Sequence, residues 1–182
     1  MQDPHNRHVL TDGTVTLRAP READIEARFA LGRSPEILKW FGIETTTLTP
    51  YTRDRAQEWF EVQSGSEHTY MIEHDGALTG EVFLHSVDMK DLRAEIAIGI
   101  LNPDKLGQGI GTAALRLLMG HAFDTMGLNR IGLRYLDGND RARACYDKLG
   151  FVEEGRLRER AKVGDVFHDD IQMSCLAREF VR

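Results

Sequence analysis

At 182 residues the chain has the length of one domain with room for a sizeable core. Its 23 basic and 29 acidic residues leave a net charge of −6, which argues against a large nucleic-acid footprint and is compatible with a cationic acceptor such as an amine. Cys145 and Cys175 lie far apart without metal-type spacing, no apolar run is long enough to span a membrane, and Met1-Gln2-Asp3-Pro4-His5 opens no secretory pattern, so a cytoplasmic protein without a disulfide framework or zinc site is expected.

Residues 1–13 read as a loose arm. Thr14-Val15-Thr16-Leu17-Arg18 alternates and is β-branched, which predicts a strand. Pro20 and the acidic Glu22 and Asp24 open a helix to about Leu31. Ser34 to Phe41 reads as a short helix or turn with exposed aromatics, and Thr52 as the cap of a helix through about Val62. Thr69–Glu73, the turn Asp75-Gly76 and Leu78–Val87 form a hairpin signal. Arg93–Leu101 is a further strand, with Ile96, Ile98 and Ile100 on one face. A helix from about Gly109 to Met126 carries the stripe Ile110, Ala114, Leu117 and Leu118, and Gly127 closes it. Asn129–Leu136 is a strand, Asn139–Leu149 a helix stopped by Gly150, and Phe151–Arg158 and Phe167–Leu176 are two final strands. The order predicts a single α/β domain (1–182). Its central sheet is mixed and mostly antiparallel, with one parallel βαβ unit over 94–136 and helices on both faces.

The most informative segment is Leu106-Gly107-Gln108-Gly109-Ile110-Gly111-Thr112, a glycine turn running into a helix. The first N–H groups of a helix lack internal acceptors and carry partial positive charge, and glycine removes the Cβ atoms that would hold a phosphate away. A nucleotide P-loop would need a lysine where Gly111-Thr112 stands. A dinucleotide-binding turn would need other glycine spacing, an early strand and a following acid. A turn that merely packs closely is the plain structural alternative.

The flanking residues resemble the GNAT superfamily of acyl-CoA-dependent N-acyltransferases. Gly109 and Gly111 fit its R/Q-x-x-G-x-G/A motif, although Leu106 stands at the polar first position. Asn139 opens the following helix, with Tyr146 seven residues on and Leu149-Gly150-Phe151 closing it. The resemblance is densest over 93–176. Ser34–Trp40 and Gly155–Glu159 make it most similar to the RimJ/RimL-type group, which acetylates ribosomal-protein N-termini, and its small-amine relatives. It implies a GNAT fold and direct transfer of an acetyl group from acetyl-CoA to a primary amine. The acceptor would be a protein N-terminus or a small polyamine-like or aminoglycoside-like molecule. No metal, nucleic acid or membrane is implied. Relatives often dimerise, and the sequence leaves the oligomeric state open. An acyl-CoA-binding protein without transferase activity and a nucleotide-binding redox domain are the rival readings.

The same resemblance implies the site. Residues 106–112 (Leu106, Gly107, Gln108, Gly109, Ile110, Gly111 and Thr112) would cradle the pyrophosphate. Ile98, Gly99 and Ile100 would offer backbone groups to the pantetheine arm. Asn139, Ala142 and Tyr146 would line the ligand from one helical face, Asn139 also being a good N-cap. Tyr146 would protonate the leaving sulfur, a task open to a phenol of pKa about 10. The acceptor must lose a proton first, and Glu95 is the candidate base or water-organiser, with Glu81 on the neighbouring strand second. Trp40, Phe41 and Trp59 are either core aromatics or walls of the acceptor cleft. Cys145 reads as packing rather than a nucleophile. His168-Asp169-Asp170 alternate across a strand and do not make one site, and His74, His85 and His121 share no metal spacing.

Overall fold

A computed structural model describes residues 8–182. Part of the arm expected over 1–13 therefore lies outside the described residues, and part of the rest is strand. Leu10–Thr11 (β1) pairs antiparallel with Val15–Arg18 (β2). The Asp12 carboxylate makes this turn by accepting from the amides of Thr14 (2.9 Å) and Val15 (2.8 Å), while Gly13 takes φ 93°.

The chain continues through α1 (Ala23–Leu31), α2 (Pro35–Leu38) with a 3₁₀ turn at Lys39–Phe41, and α3 (Arg53–Ser64). Thr52 caps α3, its hydroxyl accepting from the Arg55 amide at 3.3 Å. Then come β3 (Thr69–His74), β4 (Ala77–Asp88), β5 (Arg93–Ile100), α4 (Ile110–Gly120), β6 (Arg130–Leu136), α5 (Asp140–Asp147), β7 (Val152–Val163) and β8 (Val166–Leu176). The single helix expected over 109–126 changes pitch at Gly120: residues His121–Thr125 form a π turn, with the Met126 amide reaching back to His121 O at 3.0 Å.

The described strands make one eight-stranded sheet in the order β1-β2-β3-β4-β5-β6-β8-β7. Every pairing is antiparallel except β5–β6, which α4 connects. On one sheet face Val15, Leu17, Val82, Leu84, Ala94 and Ile96 meet Ile110, Ala114, Leu115 and Leu118 of α4 in the main core. Burial of each large side chain there contributes roughly 1.5–3 kcal/mol. The stripe read from sequence is wider than expected, since Leu115 and Met119 are fully buried while Leu117 is only partly so. The opposite face carries α1 and α3, which pack on each other and on β3 and β4. Arg18 fastens α1 to the sheet: the residue is 5% exposed, and its guanidinium holds Asp24 by two bonds of 2.8 and 2.9 Å and reaches Glu73 of β3 at 2.6 Å. Among the described residues no helix is long and apolar enough to cross a membrane.

Candidate active site

The site follows from where β5 and β6 part. Their parallel register runs Arg93↔Arg130, Ala94↔Ile131 and Glu95↔Gly132, and goes no further. Beyond Glu95 the β5 edge that faced β6 is free, and a cavity of about 430 Å³ opens between the diverging strands. β5 supplies Ile96, Ala97, Ile98 and Ile100, and β6 supplies Arg134 and Tyr135.

The glycine turn closes one end. Gly107 (φ 74°) and Gly109 (φ 81°) are both left-handed, which disfavours any L side chain, and a Cβ on either would project into open space. Gly109 caps α4, and the Ala113 amide is the first to bond back, to Gly109 O at 3.0 Å. The amides of Ile110, Gly111 and Thr112 belong to the first turn, where helical N–H groups have no acceptor within the helix. They stand beside the cavity with the positive end of the α4 dipole. This set of donors suits a pyrophosphate. Because the donors are backbone groups, Leu106 at the first motif position does not remove them.

Helix α5 forms the second wall. Asn139 is its N-cap, accepting from the Ala142 amide at 3.2 Å, and its side chain still borders the cavity. Tyr146 is buried, its ring packed between Tyr135 (5.6 Å) and Phe151 (5.7 Å). Burial, reinforced by Cys145 and Tyr135, pushes its phenol well above the ordinary value. The hydroxyl therefore stays protonated through neutral pH, as a proton donor must. The Cys145 thiol, also raised by burial, shares a 3.1 Å hydrogen bond with Thr112 that ties α5 to α4.

Of the residues read from sequence, Ile98, Ile100, Leu106, Gly107, Gly109, Ile110, Gly111, Thr112, Asn139, Ala142 and Tyr146 all border this cavity. Gln108 does not; its amide turns back to Asp104 O at 2.6 Å. Gly99 is buried beneath Phe41, whose Cζ would lie 3.0 Å from a Cβ placed there. That is the close approach expected of a glycine in a strand. Glu95 lies at the last paired position, outside the cavity, with its carboxylate above Gly132 and 3.9 Å from Arg130. Asp169 holds the β7–β8 hairpin, accepting from the Glu159 amide at 2.8 Å and from Arg156 at 3.0 Å.

Glu81 is placed differently. It pairs with Gly99 across β4–β5, and its Cγ would lie 3.8 Å from a Cβ at Gly99, beside the Phe41 ring. Trp59 of α3 donates its indole N–H to the Glu81 carboxylate. Burial raises the Glu81 pKa against the lowering by this bond and by Arg28. Trp40 and Phe41 line the cavity, so two of the three aromatics wall the cleft and the third orients a carboxylate.

Sequence reading missed four cations on the cavity wall: Lys105, Arg134, Arg141 and Lys148. They come from three stretches: the turn before α4, β6, and α5 with its C-cap. Lys105, Arg134 and Arg141 also meet Asp75 (3.0 Å), Asp170 (3.8 Å) and Glu36 (3.4 Å), yet their gathering on one wall of a chain of net charge −6 suits an anionic ligand. No local motif signals it.

Comparison with known proteins agrees with this geometry. The family model for the acetyltransferase (GNAT) domain matches residues 14–152. The putative ribosomal N-acetyltransferase YdaF of Bacillus subtilis (strain 168) is 31% identical over 180 residues, covering 96% of this chain and 94% of that one. The spermidine N(1)-acetyltransferase of Escherichia coli (strain K12) is 29% identical over 120 residues, 66% of this chain and 64% of that one. A crystal structure of a probable acetyltransferase superposes with a TM-score of 0.75 at 28% identity, covering 94% of this chain and 98% of that one. The chain belongs to the GNAT acetyltransferase family.

Proposed function

We propose that this chain moves an acetyl group from acetyl-CoA directly to a primary amine, within the branch of the family that includes the RimJ/RimL-type enzymes. The observation that carries the reading is the parting of β5 and β6 after Glu95, which puts a helix N-terminus and a buried tyrosine on one cavity. The turn 106–112 would hold the pyrophosphate, and the nearby cations would take the remaining phosphate charge. The free edge of β5 at 97–100 offers backbone groups to an extended pantetheine arm. That arrangement would bring the thioester toward Tyr146.

The chemistry then asks little of the protein beyond position and two protons. Glu81, next to Gly99, accepts a proton from the ammonium, directly or through one water. Neither carboxylate lines the cavity, and we assign Glu81 this role in preference to Glu95 because it stands beside Gly99 and the cavity-lining Phe41, whereas Glu95 lies over Gly132 at the last β5–β6 pair. The neutral nitrogen attacks the thioester carbonyl, the C–S bond breaks, and Tyr146 gives its proton to the departing sulfur. The nitrogen's second proton passes to the tyrosinate, amide and CoA thiol leave, and Glu81 releases its proton to solvent. The N-acetyltransferase YdaF and the spermidine acetyltransferases among the relatives support an amine acceptor. The thiols of Cys145 and Cys175 are free, as in proteins of a reducing compartment such as the cytoplasm.

The test is release of CoA thiol on mixing enzyme, acetyl-CoA and a panel of N-terminal peptides and polyamines, with Tyr146→Phe alongside. Amine-dependent release that falls at least about tenfold in Tyr146→Phe supports the reading. Tight acetyl-CoA binding with no turnover on any amine would favour a carrier-binding protein instead.

A further inference from the structure

Behind Glu81, on the face of the sheet covered by α1 and α3, lies a second charged cluster that the transfer chemistry does not use. Arg28 of α1 is 7% exposed. Its Nη1 donates to Gly32 O at 2.7 Å, while its Nε is buried without a hydrogen-bond partner. The guanidinium stacks 4.2 Å above the Tyr51 ring and 5.9 Å from Trp59, and Arg33 approaches the same Tyr51 ring at 5.2 Å. Among the described residues no carboxylate lies within ion-pairing distance of Arg28 or Arg33.

The contrast with Arg18 is instructive. Arg18 is equally buried, and two carboxylates satisfy it. Burying a guanidinium without such partners is costly. Burial holds the pKa of the Arg28 guanidinium below its ordinary value, the fields of Tyr51 and Glu81 offset this only in part, and Arg33 opposes them. Glu81 is itself occupied by the Trp59 indole. One indole thus has a carboxylate on its N–H and a guanidinium facing its ring, so a proton acceptor and an unpaired cation stand within one side-chain width.

We propose that the acceptor is an amine carrying a carboxylate close to its nitrogen, with Arg28, aided by Arg33 and Tyr51, binding the carboxylate while the amine meets Glu81. This rests on the transferase reading and narrows its substrate class. A polyamine would instead bring a further ammonium toward two guanidiniums. The carboxylate has two natural sources: the α-carboxylate of a free amino acid, or the side chain of an acidic N-terminal residue in a peptide.

The experiment compares matched acceptors at saturating acetyl-CoA by the rate of CoA thiol release: L-leucine against isopentylamine, an Asp-led tripeptide amide against its Asn-led twin, and spermidine. The expected result is a preference of about tenfold or more in kcat/KM for the carboxylate member of at least one pair, the range of a charge-assisted hydrogen bond. The preferred pair names the source. In Arg28→Gln and in Arg33→Gln that ratio moves toward one, and because it is a ratio within each variant, partial unfolding cancels. Calorimetric titration of the same compounds into the CoA-bound enzyme reads the site without turnover and should show the same carboxylate dependence. Equal or better use of isopentylamine, the Asn peptide or spermidine overturns the proposal and leaves the transferase reading standing. So does a ratio that survives Arg28→Gln. Absence of acetyl-CoA binding removes both.

Discussion

Replacing Glu81 by Gln separates its two roles, because activity and stability should move in opposite directions. The side chain keeps its shape, and the amide oxygen can still accept the Trp59 indole N–H. What disappears is a basic site and a charge that burial disfavours. A positioned general base contributes about 10²–10⁴-fold, or roughly 3–5 kcal/mol of barrier, so kcat/KM should fall by that order. Stability should rise. The folded-state pKa of Glu81 lies above its unfolded value, so at low pH both states are protonated and nothing is lost. As pH climbs from the unfolded pKa through the folded one, the native state becomes progressively disfavoured by about 1.4 kcal/mol per unit of pKa difference. Glu81→Gln escapes that penalty. Denaturant unfolding of both proteins at pH 4 and pH 8, beside CoA-release rates, makes the comparison. The reasoning is refuted if the variant keeps its rate within about threefold, or if its stability relative to wild type falls between pH 4 and pH 8.

Other consequences are independent of that one. In Tyr146→Phe, kcat should drop with little change in the affinity for acetyl-CoA, read by calorimetry, since only the proton donor is lost. The pH–rate profile should show an acid limb set above the ordinary carboxylate range by Glu81. Its alkaline limb should not begin below pH 10, because burial lifts the Tyr146 phenol. Asp24→Ala strips Arg18 of its bidentate partner and should cost about 3–5 kcal/mol, measured by urea unfolding. Gly109→Ala puts a Cβ on a left-handed residue at the mouth of the anion site. It should cost about 1–2 kcal/mol of stability and weaken acetyl-CoA binding further.

Much of the fold was legible because local chemistry and tertiary need coincide. The isoleucines of β5, the Thr52 cap and the left-handed glycines at 107 and 109 each announce themselves within a few residues. The far end of the β7–β8 hairpin did not. Residues 159–166 carry only the small apolar side chains Ala161, Val163 and Val166, none of them buried, and strand pairing with the Asp169 bonds holds the segment instead of a core. The candidate site divides the same way. Tyr146 and the glycine turn sit in contiguous patterns. Glu81 becomes visible only when the antiparallel register sets it beside Gly99 and α3 brings Trp59 across 22 positions of sequence. Glu95 drew attention through its strand phase, yet the cavity begins one residue later, where β6 turns away. Of the four wall cations, Arg141 and Lys148 share α5 and its C-cap, but only the fold brings Lys105 and Arg134 beside them.

The most direct test of the central claim is the thermal unfolding midpoint with and without acetyl-CoA, with NAD and ATP as controls. A ligand at one hundred times its Kd stabilises the fold by about 2.7 kcal/mol, worth about 5–11 °C for a chain of this size. The account predicts such a rise with acetyl-CoA and none of similar size with NAD or ATP. An unchanged midpoint at millimolar acetyl-CoA would contradict it, because the cavity between β5 and β6 would then not be a site for the acyl carrier.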